Sequence, residues 1–197
     1  MDHRDHVGLL APGLAGEPRG AGVRWADIGA GSGAFTLALA DLLGPGATIV
    51  AVDRDRRALD ENRRAVEARF PGVVLKTLVA DLTGPLDLAP LDGIVAANSL
   101  HFVGPVDQVA TVRRLAGLLR PGGPFLLVEY DSDQGNQWVP HPFTPAGWER
   151  IAAAAGLVDV APIGHVPSRW LGGIYSAAAR RPPGPATAGG RRRGSAR

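Results

Sequence analysis

One short stretch limits the architecture of this chain more than any other. Val23 to Ile28 is a run suited to a β-strand, it leads directly into Asp27-Ile28-Gly29-Ala30-Gly31-Ser32-Gly33, and Ala34 to Leu43 then reads as a mostly apolar helix. Glycines at a strand-to-helix turn let ligand atoms approach the backbone, and the first turn of the helix favours negative charge. In an open parallel sheet such a turn sits at the carboxyl ends of the strands, where ligands bind.

A second feature stands at a fixed distance from the first. Thr48 to Val52 is β-branched and apolar, and it ends at Asp53, 20 residues after Gly33. A carboxylate at that place can accept hydrogen bonds from both hydroxyls of a ribose, and it would repel a 2′-phosphate. The same residue can instead cap a helix beginning at Asp55. The loop itself is ambiguous: Gly29, Gly31 and Gly33 make Gly-x-Gly-x-Gly, while Ala34 also completes the Gly-x-Gly-x-x-Ala spacing of dinucleotide sites.

Strand-like and helix-like segments alternate through the rest of the chain. The pattern predicts a helix over 55–70 with Leu59, Val66 and Phe70 on one stripe, strands at 73–79 and 93–97, and a helix over 105–119 with Val109, Val112, Ala116 and Leu119 facing inward. Arg120-Pro121-Gly122-Gly123 breaks that helix, and 124–130 is a fifth strand. Thr144 caps a helix over 144–155 with Pro145 in its first turn. Strands at 158–163 and 174–179 close the domain, and the link between them is too short for a crossover helix, so they should be antiparallel. The expectation is a Rossmann-like, doubly wound α/β fold: a mostly parallel seven-stranded sheet with a reversed last strand and helices on both faces.

Composition narrows the function classes. The absence of cysteine removes disulfides and thiolate metal sites. No apolar run approaches the roughly 18 residues of a membrane span, and residues 1–16 make a poor signal peptide, so the expected compartment is the cytoplasm. The net charge of +2 hides an asymmetry: every acidic residue precedes position 180, while arginines crowd the end. The body is net acidic, which opposes nucleic-acid binding except through the tail. Residues 181–197, rich in Arg, Pro, Gly and Ala, are expected to be a disordered basic tail. Residues 1–20 are expected to form a cap segment and 21–180 the domain proper.

The quoted motifs together resemble those of the class I S-adenosylmethionine-dependent methyltransferases over about residues 20 to 180. Besides Asp27 to Gly33, the resemblance is carried by AVDRD at 51–55, VADL at 79–82, LDGIVAANSLHFV at 91–103 and LLRPGGPFLLVEY at 118–130. It implies S-adenosylmethionine as cofactor. The backbone of Gly29, Ala30, Gly31 and Gly33 would cradle its methionine part, with Asp27 anchoring it indirectly. Asp53 would hold the ribose and Arg54 would cover the adenine. Asp81 would accept from the adenine amino group beside Leu82, and Asn98 would lie near the sulfonium.

Fewer residues offer catalysis. His101, just past the fourth strand, is a candidate general base, though a histidine there also serves as a packed or capping residue. Glu129, Tyr130 and Asp131 end the fifth strand on the same edge, and Tyr130 is the second catalytic candidate. Asn98-Ser99-Leu100-His101 departs from the Asn-Pro-Pro-aromatic pattern of enzymes that methylate nucleobase or amide nitrogens. His141 and His165 lack partners at ligand spacing, so no metal site is expected. An NAD-dependent oxidoreductase and a cofactor-binding protein without turnover remain alternatives; against the first stands the lack of a Tyr-x-x-x-Lys pair. Residues 1–16 and 131–143, the latter with Trp138, Pro140, Pro142 and Phe143, could roof a small pocket, which points to a small-molecule acceptor. Trp170 is a further candidate for lining it.

Overall fold

The computed structural model describes residues 1–88, 90–168 and 171–184. Five helices and seven strands follow in the order α1 (His3–Leu10), β1 (Arg24–Ile28), α2 (Ala34–Leu43), β2 (Thr48–Asp53), α3 (Arg56–Arg69), β3 (Val74–Val79), β4 (Gly93–Ala97), α4 (Pro105–Ala116), β5 (Pro124–Tyr130), α5 (Pro145–Ala155), β6 (Val158–Pro167) and β7 (Gly173–Arg180). Short 3₁₀ turns follow α1 at Ala11–Leu14 and β4 at Leu100–Phe102. The strands form one sheet in the order β3-β2-β1-β4-β5-β7-β6. β7 runs antiparallel to both of its neighbours, and the remaining pairings are parallel. The doubly wound fold with a reversed last strand is as the sequence predicted.

Alternation along β1 explains the two-sided core. Ala26 and Ile28 face α4 and α5, in a cluster centred on Phe125, Trp148 and Tyr175. Trp25 faces the other way, into a cluster with Leu39 and Leu43 of α2 and Leu9, Leu10 and Leu14 of the N-terminal segment. Each of these leucines is nearly or fully sealed from solvent, and burial of one such side chain contributes about 1.5–3 kcal/mol. The N-terminal segment is thus a core element. It starts with a reciprocal capping box between Asp2 and Asp5 and packs on α2 and β6.

Helix starts and stops follow the local chemistry. Asp55 caps α3 by accepting from the N–H groups of Arg57 and Ala58 at 2.8 and 3.2 Å. Thr144 caps α5 through the N–H of Gly147 at 3.2 Å. Two boundaries depart from the sequence reading. The helix expected to reach 119 ends at Ala116, because residues 118–120 turn out to bond the chain at Leu91: the Leu91 N–H donates to Leu118 O, and the Arg120 N–H donates to Leu91 O. The strand expected at 158–163 continues to Pro167. β6 is an edge strand with two register shifts, so its prolines and glycine cost no ladder bond on the open side, and its apolar period fades.

Arg181, just beyond β7, is tied down. Its N–H donates to Gly123 O, and its guanidinium reaches Gly117 O and Leu119 O. The basic tail expected over 181–197 lies outside the described residues from 185 on, as does Trp170. Among the described residues no helix is long and apolar enough to cross a membrane.

Candidate functional site

The glycine loop is tied from behind and open in front. Gly29 and Ala30 both donate their N–H to Val52 O, at 2.8 and 2.9 Å, so the loop wraps the end of β2. Gly29 has φ +75°, and a Cβ there would lie 2.3 Å from the Cβ of Ser99. Only glycine meets that pair of demands. In contrast, a methyl group built on Gly31 would meet nothing within 4 Å. Gly31 donates its N–H to Asp53 Oδ2 at 2.8 Å, and Asp55 donates to Oδ1 of the same carboxylate at 2.9 Å. Asp53 thus does not take the helix-capping role, which belongs to Asp55; it links the two cofactor motifs read from the sequence.

Beneath the loop runs a buried polar chain. Thr36 Oγ1 donates to Asp27 Oδ2 at 2.6 Å, and Asn62 Nδ2 donates to Thr36 Oγ1 at 2.8 Å. Asn62 fits only because residue 33 is glycine: a Cβ there would stand 2.4 Å from Asn62 Oδ1. Asp27 is 1% exposed. Burial pushes its carboxyl up to about 7, against the pull of the Thr36 hydrogen bond and with a small push from Asp53. A carboxyl poised there ionises readily beside a cation.

Two cavities meet at this loop. One, of about 360 Å³, is walled by Asp53, Arg54, Ala80, Asp81, Leu82 and Phe102, among others. The second, of about 250 Å³, is walled by Met1, His6, Asp27, Ala30, Gly33 and Phe35, among others. Gly29, Gly31 and Asn98 belong to both. Asn98 sits at φ +50°, a conformation asparagine tolerates, and its side-chain Oδ1 is buried without a hydrogen-bond partner. Ser99 Oγ is likewise buried and unpaired. Orphan polar atoms at the junction of two cavities are what a site built for a polar ligand requires. All ten residues proposed from the sequence to hold cofactor thus lie on one connected surface.

S-adenosylmethionine fits this surface. The larger cavity offers an acid for a ribose and an apolar wall, Leu82, where a base would lie. The smaller offers the unobstructed space over the Gly31 Cα and the Asp27 carboxyl for a cationic amino-acid end. Asp81 is partly committed: Thr83 donates to its Oδ1 through both N–H and hydroxyl, at 2.8 and 2.6 Å, and these bonds hold its carboxyl below the usual range. Arg114 pins the segment by donating to Leu82 O at 3.0 Å.

His101 is 2% exposed and lies on the 3₁₀ turn beyond β4. Its Nδ1 stands 2.8 Å from Oε2 of Glu129, a residue wholly sealed in the sheet. Glu129 also accepts from the His101 backbone N–H at 3.1 Å and from the Tyr130 N–H at 3.2 Å. The ring of Tyr130 stands edge-on to the imidazole at 6.0 Å, and that of Phe102 lies at 4.3 Å. The sequence placed His101 and Glu129 on the same edge but not in contact, since 28 residues separate them. It missed Thr36 and Asn62 altogether, because polar residues inside helices read as solvent-facing. Met1 and His6, whose ring packs 4.7 Å from Phe35, line the smaller cavity from within the 1–16 segment expected to roof the site, although the sequence did not single out either residue.

A family model described as a methyltransferase domain matches residues 26–125. Residues of this chain are 32% identical over 117 positions to a carboxy-S-adenosyl-L-methionine synthase of Chromohalobacter salexigens, covering 57% of this chain and 43% of that protein. They are 34% identical over 113 positions to an uncharacterised methyltransferase of Mycobacterium tuberculosis, covering 57% and 42%. The match thus spans less than half the length of these curated relatives. Among solved structures, the magnesium protoporphyrin IX methyltransferase of Synechocystis PCC 6803, determined with bound S-adenosylmethionine, superposes with a TM-score of 0.69 at 17% identity, covering 91% of this chain and 79% of that one. That likeness is one of fold.

Proposed function

Because the chain belongs to the class I S-adenosylmethionine-dependent methyltransferases, we propose that it transfers a methyl group from S-adenosylmethionine to a small-molecule acceptor. The observation that carries this reading is the junction of the two cavities at Gly29, Gly31 and Asn98, with one acid on each side. Asp53 takes the ribose, and Arg54, Asp81 and Leu82 surround the adenine. Asp27, with the Gly29–Gly33 backbone, holds the charged methionine end, and Asn98 stands where the two cavities join. Bound there, the cofactor supplies an electrophilic methyl on a sulfur that departs as a neutral thioether. The chain's own task is then chiefly alignment and the exclusion of water.

A small acceptor is favoured by what lies over the strand ends. Met1 and His6 wall the smaller cavity, and burial holds the His6 ring below the usual imidazole range. Segment 131–143 is anchored from the other side: His141 donates its N–H to His101 O at 3.0 Å, and Gln108 donates to His141 O at 3.2 Å. Of the two segments, the N-terminal one lines a cavity directly, through Met1 and His6. A chain without cysteine, whose relatives above are bacterial, suits the bacterial cytoplasm.

Calorimetry tests the reading. S-adenosylhomocysteine should bind and NAD should not. NAD binding without S-adenosylhomocysteine binding would make the chain an oxidoreductase-type site instead.

A further inference from the structure

We propose that His6 of α1 is a cofactor-binding residue: together with the first turn of α2 it takes the α-carboxylate of the methionine end, while Asp27 takes the α-ammonium on the same carbon. The inference rests on the methyltransferase reading and supplies a side chain for the one ligand charge that reading leaves without one.

The smaller cavity carries the argument. Asp27 is 1% exposed, and Thr36 occupies its Oδ2. Its Oδ1 has no hydrogen-bond partner among the described residues, yet it is not one of the fully enclosed polar atoms left unpaired. What remains open of Asp27 is therefore that oxygen, in the wall of the cavity. Gly33, Ala34 and Phe35 belong to the same wall. They start α2, and Gly33 brings no side chain to cap it. The first N–H groups of a helix lack partners in their own helix and carry its positive end, so an anion is favoured there. An acid that selects a cation and a helix start that selects an anion thus share one cavity of about 250 Å³. That suits a group with both charges on one carbon.

His6 completes the anion side. Its ring lies 4.7 Å from that of Phe35, in the first turn of α2, and it walls the same cavity. Neither ring nitrogen has a hydrogen-bond partner among the described residues, and neither is fully enclosed. The helix that carries the ring is fixed. Leu9 and Leu10 are sealed in the core, the Asp2–Asp5 capping box starts α1, and His3 Nε2 stands 3.1 Å from Asp41 Oδ2 of α2. An anchored helix therefore holds an unpaired imidazole beside the turn where a carboxylate is favoured.

The two titratable groups of the cavity answer each other. Burial first, then the Met1 amine and His3, hold the His6 ring below the usual imidazole range, while Asp5 and Asp2 pull it back up. Phe35, packed against it from α2, adds no charge. Before binding at neutral pH, His6 is thus neutral, and Asp27, pushed up to about 7, still keeps much of its proton. The zwitterion reverses both: its ammonium draws the proton off Asp27, and its carboxylate draws one onto His6. His6 takes up part of what Asp27 releases, so the chain gives fewer protons to the buffer than Asp27 alone would.

Calorimetry of the full chain tests this with three probes: S-adenosylhomocysteine, its decarboxylated analogue, which keeps the amine, and methylthioadenosine, which lacks the amino-acid end. His6→Ala should weaken S-adenosylhomocysteine about tenfold, the low end for a hydrogen bond to a charged group because the ring is half-buried. The other two probes should bind as before. His6→Gln keeps an N–H donor and should recover part of the affinity, but it cannot take up a proton. In buffers of different ionisation heat at pH 6.5, both variants should release more protons per bound S-adenosylhomocysteine than the unmodified chain. His6→Gln decides the matter if His6→Ala does not fold. Unchanged affinity for S-adenosylhomocysteine in His6→Ala, a loss shared by the decarboxylated analogue, or an unchanged proton count in His6→Gln overturns the proposal. Absence of S-adenosylhomocysteine binding in the unmodified chain overturns the methyltransferase reading itself.

Discussion

Replacing Asp27 by asparagine should make the protein more stable and its cofactor site worse, with the balance set by pH. In the unfolded chain the carboxyl titrates near 3.8, and in the fold burial lifts it to about 7. Between those values the native state holds a proton that the unfolded chain has released. Stability therefore falls as pH rises through that window, by up to about 1.4 kcal/mol per pH unit, and the loss is complete above the folded value. The whole climb corresponds to about 4 kcal/mol. The amide oxygen of the Asp27→Asn side chain would still accept from Thr36, so most of this should be recovered in the variant: about 3–4 kcal/mol at pH 8, or on the order of 10 °C in melting temperature for a chain of this length. Near pH 4 the two proteins should melt together. Binding should run the other way. A cationic amino-acid end favours the ionised carboxylate, so S-adenosylhomocysteine should bind the unmodified protein more tightly as pH rises toward 8, with proton release below 7. The variant should lose about 1.5–3 kcal/mol of affinity at pH 8. Denaturant titrations from pH 4 to 8.5 and calorimetry in buffers of different ionisation heat measure both effects. Parallel stability curves for the two proteins across that range would refute the burial argument.

Asp53→Ala should weaken S-adenosylhomocysteine by about 1.5–3 kcal/mol and free the Gly31 N–H, with little change in melting temperature; an unchanged dissociation constant in calorimetry removes Asp53 from the ribose. Gly33→Ala drives a Cβ into Asn62 at a φ of +100° and should cost at least about 2 kcal/mol by denaturant titration. Leu10→Ala should cost about 2–5 kcal/mol, because Leu10 is fully sealed under the sheet; a loss under about 0.5 kcal/mol, the range of an ordinary surface change, would make residues 1–14 a detachable flap.

The fold was legible because its signals are local. Each strand-to-helix turn carries its own glycine, proline or cap, and β2, β4 and β5 stand out as nearly unbroken apolar runs. The cofactor acids were legible for a similar reason: Asp27, Asp53 and Asp81 each stand within two residues of the end of a strand. What could not be read depends on contact between distant segments. Asn62 looks like one more polar residue on a charged helix until Thr36 is brought beside it. Glu129 looks like a solvated strand end until β4 and β7 close over it. The N-terminal segment reads as a short apolar patch, and only packing on α2 and β6 turns it into core.

The placement of β7 has a consequence for how the chain is made. This strand lies between β5 and β6, yet it is synthesised after both. Until residues 173–180 emerge from the ribosome, β5 presents a bare edge whose Phe125, Leu126, Leu127 and Val128 are wholly sealed in the finished protein. An open, apolar edge of that kind invites pairing with another chain. The nascent polypeptide is therefore most exposed to aggregation in the interval between the synthesis of β5 and that of β7. Substitutions that slow the docking of β7 should lower soluble yield in the cell well before they lower the melting temperature of purified protein.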